Sequence, residues 1–425
     1  MFRGVRTISF DRRIKTDQLA DLSFILFFAD ALVRRMFAGF FGSSALISMI
    51  GMLIPYVPLF IIFIRNPRKY IKLDFILLYV GVIVFFAITL LFHPEYEYHY
   101  LRSEYGIWDH VLKPYRGIYA YLFIRLIGEP DRILKDMRIS GWIMMVYFVY
   151  RILKGEWFVV GARGITSNAS YSVAFGYEVL PFALTFLFSA LTEKNNTFFL
   201  AAVADIIMIL VGGSRGPILF IGLFVVLYVF LYMSNTKKKR MIIPLVIIGA
   251  GLMYAFYEPI LYFAMSLLEK YNLSSRFIRM LLAGTINADS GRTSIWKAAL
   301  EMIRSNPFGY GAMGSRHVIA NYVYAGYPHS IILEFLIDYG VFIGGFLLFA
   351  MFGYAFSILF SKDKKEWRDV FLPFFCSGCG MFISLTYWSR PEFWACLALG
   401  VCCSRDIKKK RKLTDLAKKQ QCEAG

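Results

Sequence analysis

Long apolar runs divide this chain from one end to the other, and they constrain its fold more than any other feature. A helix needs about 17–25 largely apolar residues to cross the hydrocarbon core of a bilayer. The runs lie near residues 19–35, 44–64, 74–92, 107–127, 139–153, 171–191, 198–213, 217–233, 241–258, 329–360, 370–387 and 393–404. The run 329–360 is too long for one upright helix, so we expect a short helix that breaks near Gly340 and a full span after it. The pattern predicts an all-α, polytopic integral membrane protein with about twelve transmembrane helices.

The composition excludes the common soluble classes. Hydrophobic residues make up 58% of the 425 residues and charged residues only 18%, whereas about a quarter of a typical globular chain is charged. A soluble protein of this length could not bury 42 phenylalanines and 27 tyrosines. The six cysteines all fall near the carboxyl end, mostly in apolar runs, which argues against a disulfide framework. We interpret the pair Cys376 and Cys379 as packing residues.

The excess of 47 basic over 29 acidic residues indicates orientation in a membrane. A nucleic-acid partner is not expected, because the positive charges form short clusters between apolar runs and no basic domain. Cytoplasmic loops of membrane proteins are enriched in lysine and arginine. Twelve crossings with both termini in the cytoplasm place every cluster on that side. The clusters lie at residues 3–15, 65–72, 132–138, 237–240, 362–368 and 408–412.

This topology divides the chain into four parts. They are N-terminal transmembrane helices (1–258), a large extracytoplasmic helical loop (259–328), C-terminal transmembrane helices (329–404) and a basic cytoplasmic tail (405–425). The loop carries seven cationic and three acidic side chains, a net charge of +4. An anionic ligand at the outer surface would explain this charge, and an ordinarily solvated basic loop is the alternative.

Within the loop, a helix is expected from about Gly291 to Ser305. Asp289 or Ser290 can cap its start, and the step Asn306-Pro307 stops it. Ile295, Ala298, Ala299, Met302 and Ile303 recur at helical spacing and predict a buried face. Arg292 falls in the first turn, where a guanidinium beside free backbone N–H groups suits a phosphate.

Three positions are the main candidates for chemistry. Arg215 lies in the glycine-rich break 212–217 between two apolar runs, where an arginine is costly unless it lines a cavity. Arg292 is the second. His329 follows Pro328, which fits the first position of a helix, so we expect His329 in the first turn and kept neutral there by the positive helix end. Each alone has an ordinary structural explanation, but all three map to the same membrane face.

These positions belong to a larger pattern that resembles a known family. It comprises Ser214-Arg215-Gly216, then Ser290-Gly291-Arg292 with Trp296, then Asn306-Pro307 with Gly309 and Gly311, and finally His329 and Gly340. The set is similar to the signature of the O-antigen polymerase/ligase family, which are polytopic bacterial enzymes that build surface polysaccharides. The resemblance covers roughly residues 170–360. It departs at Ser330, where the family usually has asparagine.

The resemblance implies a GT-C-like, inverting glycosyltransferase of the bacterial inner membrane, with an extracytoplasmic active site and no metal or other cofactor. The implied donor is a glycan on undecaprenyl pyrophosphate. Arg215 and Arg292 would stabilise the diphosphate, and His329 would take the proton of the acceptor hydroxyl. The bilayer, a flippase and a chain-length regulator are the further partners that the family implies.

Other outer-face residues are secondary candidates for substrate binding. His110, Lys113 and Arg116 could contact pyrophosphate or glycan, with a solvated interface as the alternative. Arg316 and His317 could assist in the loop. Four tyrosines could stack on sugars unless they belong to an aromatic interface belt: Tyr310, Tyr322, Tyr324 and Tyr327. Glu334 and Asp338 share one helix face below His329, so one of them is expected to orient a nearby cation.

The sequence thus favours a polymerase that transfers lipid-linked glycan onto another lipid-linked repeat unit at the extracytoplasmic face. A ligase that passes the finished glycan to a lipid or protein acceptor is the first alternative. A transporter or flippase for an anionic or lipid-linked substrate is the second, although no internal repeat supports it.

Overall fold

The structure is a computed structural model that describes residues 12–42, 44–102, 106–154, 173–211, 215–233, 257–270, 282, 292–319 and 326–423. Within these ranges every regular element is helical, as the apolar runs predict. The described part of the chain is all-helical, and its long apolar helices are those of a membrane protein. The expected span 241–258, the caps Asp289 and Ser290 and the Gly212–Ser214 turn lie wholly or mostly outside the described residues.

The first half of the chain forms short and long helices in alternation. They are α1 (Arg12–Phe28), α2 (Asp30–Phe41), α3 (Ala45–Leu53), α4 (Tyr56–Arg65), α5 (Pro67–Tyr70), α6 (Leu73–Phe92), α7 (Glu97–Leu101), α8 (Ile118–Ile127), α9 (Pro130–Lys154), α10 (Val173–Glu193) and α11 (Asn196–Val211). A π-helical turn, Trp108–Leu112, precedes α8.

The second half contains the loop helices and the C-terminal helices. They are α12 (Arg215–Tyr232), α13 (Tyr257–Lys270), α14 (Arg292–Ser305), α15 (Gly314–Ile319), α16 (Ile331–Asp338), α17 (Gly340–Phe360), α18 (Lys365–Gly378) and α19 (Pro391–Glu423). A 3₁₀ turn, Cys379–Phe382, follows α18. Helix α19 continues through the predicted start of the tail at residue 405 without a break.

Three helices in the described ranges are long and apolar enough to cross a membrane: Leu73–Phe92, Phe175–Glu193 and Gly340–Phe360. The pair Leu46–Leu53 and Tyr56–Arg65, bent by 51°, makes a fourth if it forms one span. Several apolar runs are broken, because polar or turn residues interrupt them. The run 19–35 is divided at Ala29 and the run 107–127 between the π turn and α8. The number twelve therefore stays a prediction.

Two sequence predictions about the loop region are confirmed. Helix α14 covers the expected residues, and Ala298, Ala299 and Met302 are buried on its inner face. The chain also breaks between α16 and α17, where Gly340 has a φ of +78°. A Cβ at Gly340 would lie 2.5 Å from the Phe308 carbonyl group, so only glycine fits where the loop crosses the break.

Ion pairs between helices define one end of the bundle. Asp74, at the start of α6, binds Arg125 at the end of α8 (2.6 Å) and Arg405 of α19 (3.6 Å). Lys69 pairs with Asp17 of α1 at 3.4 Å. Lys69 of the basic cluster 65–72 and Arg405, the first residue of the predicted basic tail, thus lie at one end. That this end faces the cytoplasm is a prediction from charge.

The loop before α15 lies at the opposite end of the bundle. The Ala312 amide donates to Thr89 Oγ1, near the end of α6, at 2.9 Å. The Tyr100 hydroxyl donates to the Ala312 carbonyl oxygen. The amides of Tyr310 and Gly311 bind the last carbonyls of α16 at 2.8 and 3.0 Å. These bonds fix the loop that leads to Arg316.

Candidate active site

A short polar turn after the 3₁₀ segment brings together side chains that are distant in sequence. Arg292 Nη2 donates to Ser384 Oγ at 3.1 Å. The Ser384 carbonyl oxygen accepts from the Tyr327 hydroxyl (2.9 Å) and from His329 Nδ1 (3.0 Å). We name Arg292, Tyr327, His329 and Ser384 the Ser384 centre. Two of the three main candidates thus lie within one hydrogen bond of the same residue.

The contact with Ser384 fixes the tautomer of the His329 ring. A carbonyl oxygen can only accept, so Nδ1 must carry the proton. In the neutral ring Nε2 then holds the lone pair. His329 is therefore arranged to accept a proton at Nε2.

The expected position of His329 in a first helical turn is wrong. Helix α16 begins at Ile331, and Ser330 is its N-terminal boundary residue. His329 has a φ of +54°, a left-handed conformation that a helix cannot continue. The carbonyl of Ser384 and the ring of Tyr327, whose centroid is 4.1 Å from the imidazole, hold it there. Strained residues of this kind occur often at functional sites.

The environment of His329 favours the neutral ring for a reason other than a helix end. Burial lowers its pKa, and the positive charge of Arg292 lowers it further, whereas the bond to the Ser384 carbonyl acts in the opposite direction. The net effect is a pKa below the ordinary value, so the imidazole is neutral at pH 7.

Arg316 contributes a second guanidinium beside the Ser384 centre, and this one is buried. Its Cζ lies 5.6 Å from the centroid of the Tyr327 ring. Its Nη2 is 3.4 Å from Thr386 Oγ1 and 3.9 Å from Glu334 Oε1. Thr386 in turn donates to Glu334 at 2.7 Å. The expectation that Glu334 or Asp338 orients a cation agrees with this geometry.

Arg215 is the first residue of α12, and its side chain lies outside the described part of the structure. The next residue can be located. A Cβ at Gly216 would lie 1.9 Å from the hydroxyl of Tyr177, and one at Gly380 would lie 2.4 Å from the same ring. The Ser384 amide donates to the Gly380 carbonyl at 2.9 Å. One tyrosine ring thus separates the start of α12 from the turn that carries Ser384.

Two secondary candidates, His317 and Tyr310, contact residues outside the Ser384 centre. The ring of His317 packs against Tyr96 and His99, with centroids 4.8 and 5.1 Å apart. The Tyr310 hydroxyl contacts Ser305 Oγ at 2.7 Å. Their predicted contact with substrate stays a prediction.

The remaining candidates form an ionic cluster around Asp109. Asp109 Oδ1 accepts from Lys113 (2.7 Å) and Arg116 (3.1 Å), and Oδ2 lies 3.4 Å from His110 Nδ1. The charge of Arg316 also acts on His110. The cluster therefore lies within electrostatic range of Arg316.

Sequence reasoning considered Tyr327 only as a residue that could stack on a sugar, and it missed Ser384, Thr386 and Asp109. Ser384 and Thr386 fall in the run 370–387, which reads as a membrane span. The signal available was the polar end of that run, Ser384 to Arg390, where serine, threonine and arginine recur. Among the described residues, no group of three histidine, cysteine or acidic side chains could hold a metal ion.

Comparison with known proteins agrees with the motif resemblance. Residues 200–350 match a family model described as O-antigen ligase. No curated protein and no solved structure matches the chain. The matched segment contains Arg215, Arg292 and His329, so the predicted resemblance to the O-antigen polymerase/ligase family is confirmed over this part of the chain.

Proposed function

We propose that this protein is an inverting, metal-independent membrane glycosyltransferase that polymerises glycan repeat units carried on undecaprenyl pyrophosphate at the extracytoplasmic face. The observation that carries the proposal is the convergence of Arg292 and His329 on Ser384. A fixed cation and a neutral imidazole side by side supply charge stabilisation and proton acceptance at one point.

The acceptor hydroxyl oxygen attacks C1 of the sugar that is joined to diphosphate. The bond from C1 to the diphosphate oxygen breaks, and its electron pair leaves on undecaprenyl pyrophosphate. The hydroxyl proton passes to Nε2 of His329. Attack opposite the leaving group inverts C1.

The guanidinium groups have a separate role in this scheme. Cleavage concentrates negative charge on the diphosphate, and planar, permanently charged forks stabilise it. Arg292 and Arg215 are the residues we assign to it. Arg316, fixed by Glu334 and Thr386, would hold the substrate on the other side of Tyr327.

A ligase is the second candidate, because the matched family model is described as O-antigen ligase. The two enzymes share the chemical step and differ only in the acceptor. A polymerase uses another lipid-linked repeat unit, whereas a ligase uses a lipid or protein outside this cycle.

The test is the glycan profile of a deletion strain that expresses either the wild type or His329→Ala. Loss of the general base should lower polymer formation by about 10²–10⁴-fold. Single repeat units on the carrier outside would indicate a polymerase, and full-length chains on the carrier would indicate a ligase. Units stranded inside would contradict both and indicate a flippase. His93→Ala is the matched control, because His93 pairs with Glu95 on an exposed segment.

A further inference from the structure

The exposed side of α14 divides into stripes that differ in chemistry. In a helix of 3.6 residues per turn, side chains four or seven positions apart lie close together on the surface. Trp296 and Leu300 are exposed and form an apolar edge beside the buried face. Lys297 and Arg304 form an exposed cationic stripe next to that edge, and the exposed Glu301 lies beyond the cations. The order around the helix is therefore buried, apolar, cationic and polar.

The turn after α14 holds a phenylalanine on the surface. Asn306 fixes the turn, because its Nδ2 donates to the Gly309 carbonyl oxygen at 2.7 Å and its Oδ1 accepts from the Phe308 amide at 3.2 Å. The Val341 amide donates to the Pro307 carbonyl oxygen at 2.8 Å and joins the turn to the start of α17. The Phe308 side chain is nevertheless 79% exposed. A turn that is held at both ends thus presents a large apolar ring outwards.

The surface next to Phe308 is one that faces hydrocarbon. Helix α17 is long and apolar enough to cross a membrane, and Phe342, Phe346 and Phe349 are exposed along it. In a spanning helix, exposed side chains of this kind contact lipid. The centroid of the Phe342 ring is 6.1 Å from that of the Phe308 ring. Phe308 therefore extends the lipid-facing surface of α17 to the turn that follows α14.

The inner face of α14 is already covered by the protein. Ala299 and Met302 pack with Ile319 and Ile337 in one buried cluster. The apolar edge lies outside this contact, and an exposed apolar patch indicates an interface with a membrane or a protein. Two features favour the membrane. The helix leads into a turn that is continuous with the lipid-facing surface of α17, and the order apolar, cationic and polar is that of helices that lie in a bilayer boundary.

We propose that α14 lies along the boundary of the bilayer leaflet beside the Ser384 centre. The apolar edge and Phe308 contact the acyl chains of that leaflet. The cationic stripe binds the phosphate groups of its anionic phospholipids. Under the proposed function, Arg292 at the start of α14 meets a substrate that is carried in the same leaflet, but the placement of α14 does not depend on that function.

The first test measures depth in the bilayer, with the full-length protein in vesicles of phosphatidylethanolamine and phosphatidylglycerol. Single cysteines replace Leu300, Phe308 or Glu301 in a cysteine-free background and carry a nitroxide label. Power-saturation EPR compares collisions with oxygen, which concentrates in hydrocarbon, and with a nickel chelate, which stays in water. Leu300→Cys and Phe308→Cys should collide more with oxygen, like the lipid-facing reference Phe346→Cys on α17. Glu301→Cys, on the polar side of the same helix, is the matched control and should collide more with nickel.

The second test measures the preference for anionic lipid. A bimane label on Leu300→Cys is quenched by brominated phosphatidylglycerol or by brominated phosphatidylcholine in otherwise equal vesicles. Quenching should favour phosphatidylglycerol, and Lys297→Gln with Arg304→Gln should weaken this preference by roughly fivefold for each cation. Lys297→Arg with Arg304→Lys is the matched control, because it keeps both charges and should keep the preference.

Three results would overturn the proposal. More collisions with nickel than with oxygen at Leu300→Cys would place the apolar edge in water. Few collisions with either reagent would show that protein covers the edge. Equal quenching by the two lipids, or an unchanged preference in the glutamine variant, would exclude phosphate binding by the cationic stripe. The proposed function is judged separately, from polymer formation by the wild type and its loss in His329→Ala.

Discussion

At the scale of single residues, Ser384 controls the chemistry that His329 can perform. Its carbonyl oxygen selects the Nδ1–H tautomer, and its hydroxyl holds Arg292 beside the ring. The carbonyl bond favours imidazolium, while burial and Arg292 disfavour it. The balance keeps Nε2 available as a base at neutral pH.

The charge of Arg292 should therefore be visible in the pH dependence of activity. The rate should fall on the acidic side, as His329 takes up a proton. Arg292→Gln removes a nearby positive charge, so the pKa of His329 rises and the acidic limb moves to higher pH. Arg292→Gln should also lower kcat by about 10²–10³-fold, because it removes charge stabilisation.

The measurement is the pH profile of kcat in reconstituted vesicles for the wild type, Arg292→Gln and Arg292→Lys. Lysine keeps the charge but loses the bidentate fork. The acidic limb of Arg292→Lys should thus stay near that of the wild type although kcat falls. An acidic limb that does not move in Arg292→Gln would show that the limb reports a group other than His329.

The residue scale is also where prediction from sequence was weakest. Arg292 and His329 could be recognised as candidate site residues from the sequence pattern around them. Their common partner Ser384 is 92 positions from Arg292 and lies in a run that resembles a membrane span, so no local signal connects them. The left-handed backbone of His329 is imposed by tertiary contacts, and sequence patterns favour a helix there instead.

At the scale of elements, turn residues gave strong local signals, and two predictions that rest on them were confirmed. Asn306-Pro307 ends α14, because the residue before proline disfavours helical backbone and proline lacks an N–H. Gly340 divides α16 from α17 because the chain needs a positive φ at a point of close approach. Runs interrupted by polar residues, such as 19–35, were read as single spans, because hydropathy does not register a bend.

Gly340→Ala should disturb the break between α16 and α17. The methyl group would meet the Phe308 carbonyl at 2.5 Å in a left-handed conformation. We expect a loss of at least about 2 kcal/mol in stability from backbone strain and overpacking together. Activity should fall as well, since the loop at residues 307–311 positions the helix of Arg316.

Thermal unfolding in detergent, followed by size-exclusion chromatography, measures this loss. Gly345→Ala is the control in the same helix, because a Cβ at Gly345 meets nothing within 4 Å and alanine favours helix. Equal melting temperatures for the two variants would contradict the steric explanation of the break.

At the scale of the whole molecule, the bundle separates two chemical environments. One end collects the ion pairs of Asp74 with Arg125 and Arg405 and of Lys69 with Asp17. The other end carries the Ser384 centre and the Asp109 cluster. Positive-inside counting could predict this separation from sequence, whereas the number of spans could not be read reliably from hydropathy.

The orientation can be tested with two single-cysteine variants in a cysteine-free background. Tyr98 is 71% exposed at the end near the candidate site, and Lys409 is exposed on α19 at the opposite end. A membrane-impermeant maleimide added to intact spheroplasts should label Tyr98→Cys and leave Lys409→Cys unlabelled. Lysis should make both react. If only Lys409→Cys were labelled in intact spheroplasts, the orientation of the protein would be opposite to the one predicted.

Arg292 and His329 are both hydrogen-bonded to Ser384, and this has a consequence when the thickness of the bilayer varies. Changes in lipid thickness tilt and slide long helices against one another. The separation of base and cation depends on the hydroxyl and the carbonyl of one residue, and not on the alignment of two spans. The geometry of the proposed base and cation should therefore change little when the thickness of the surrounding bilayer changes.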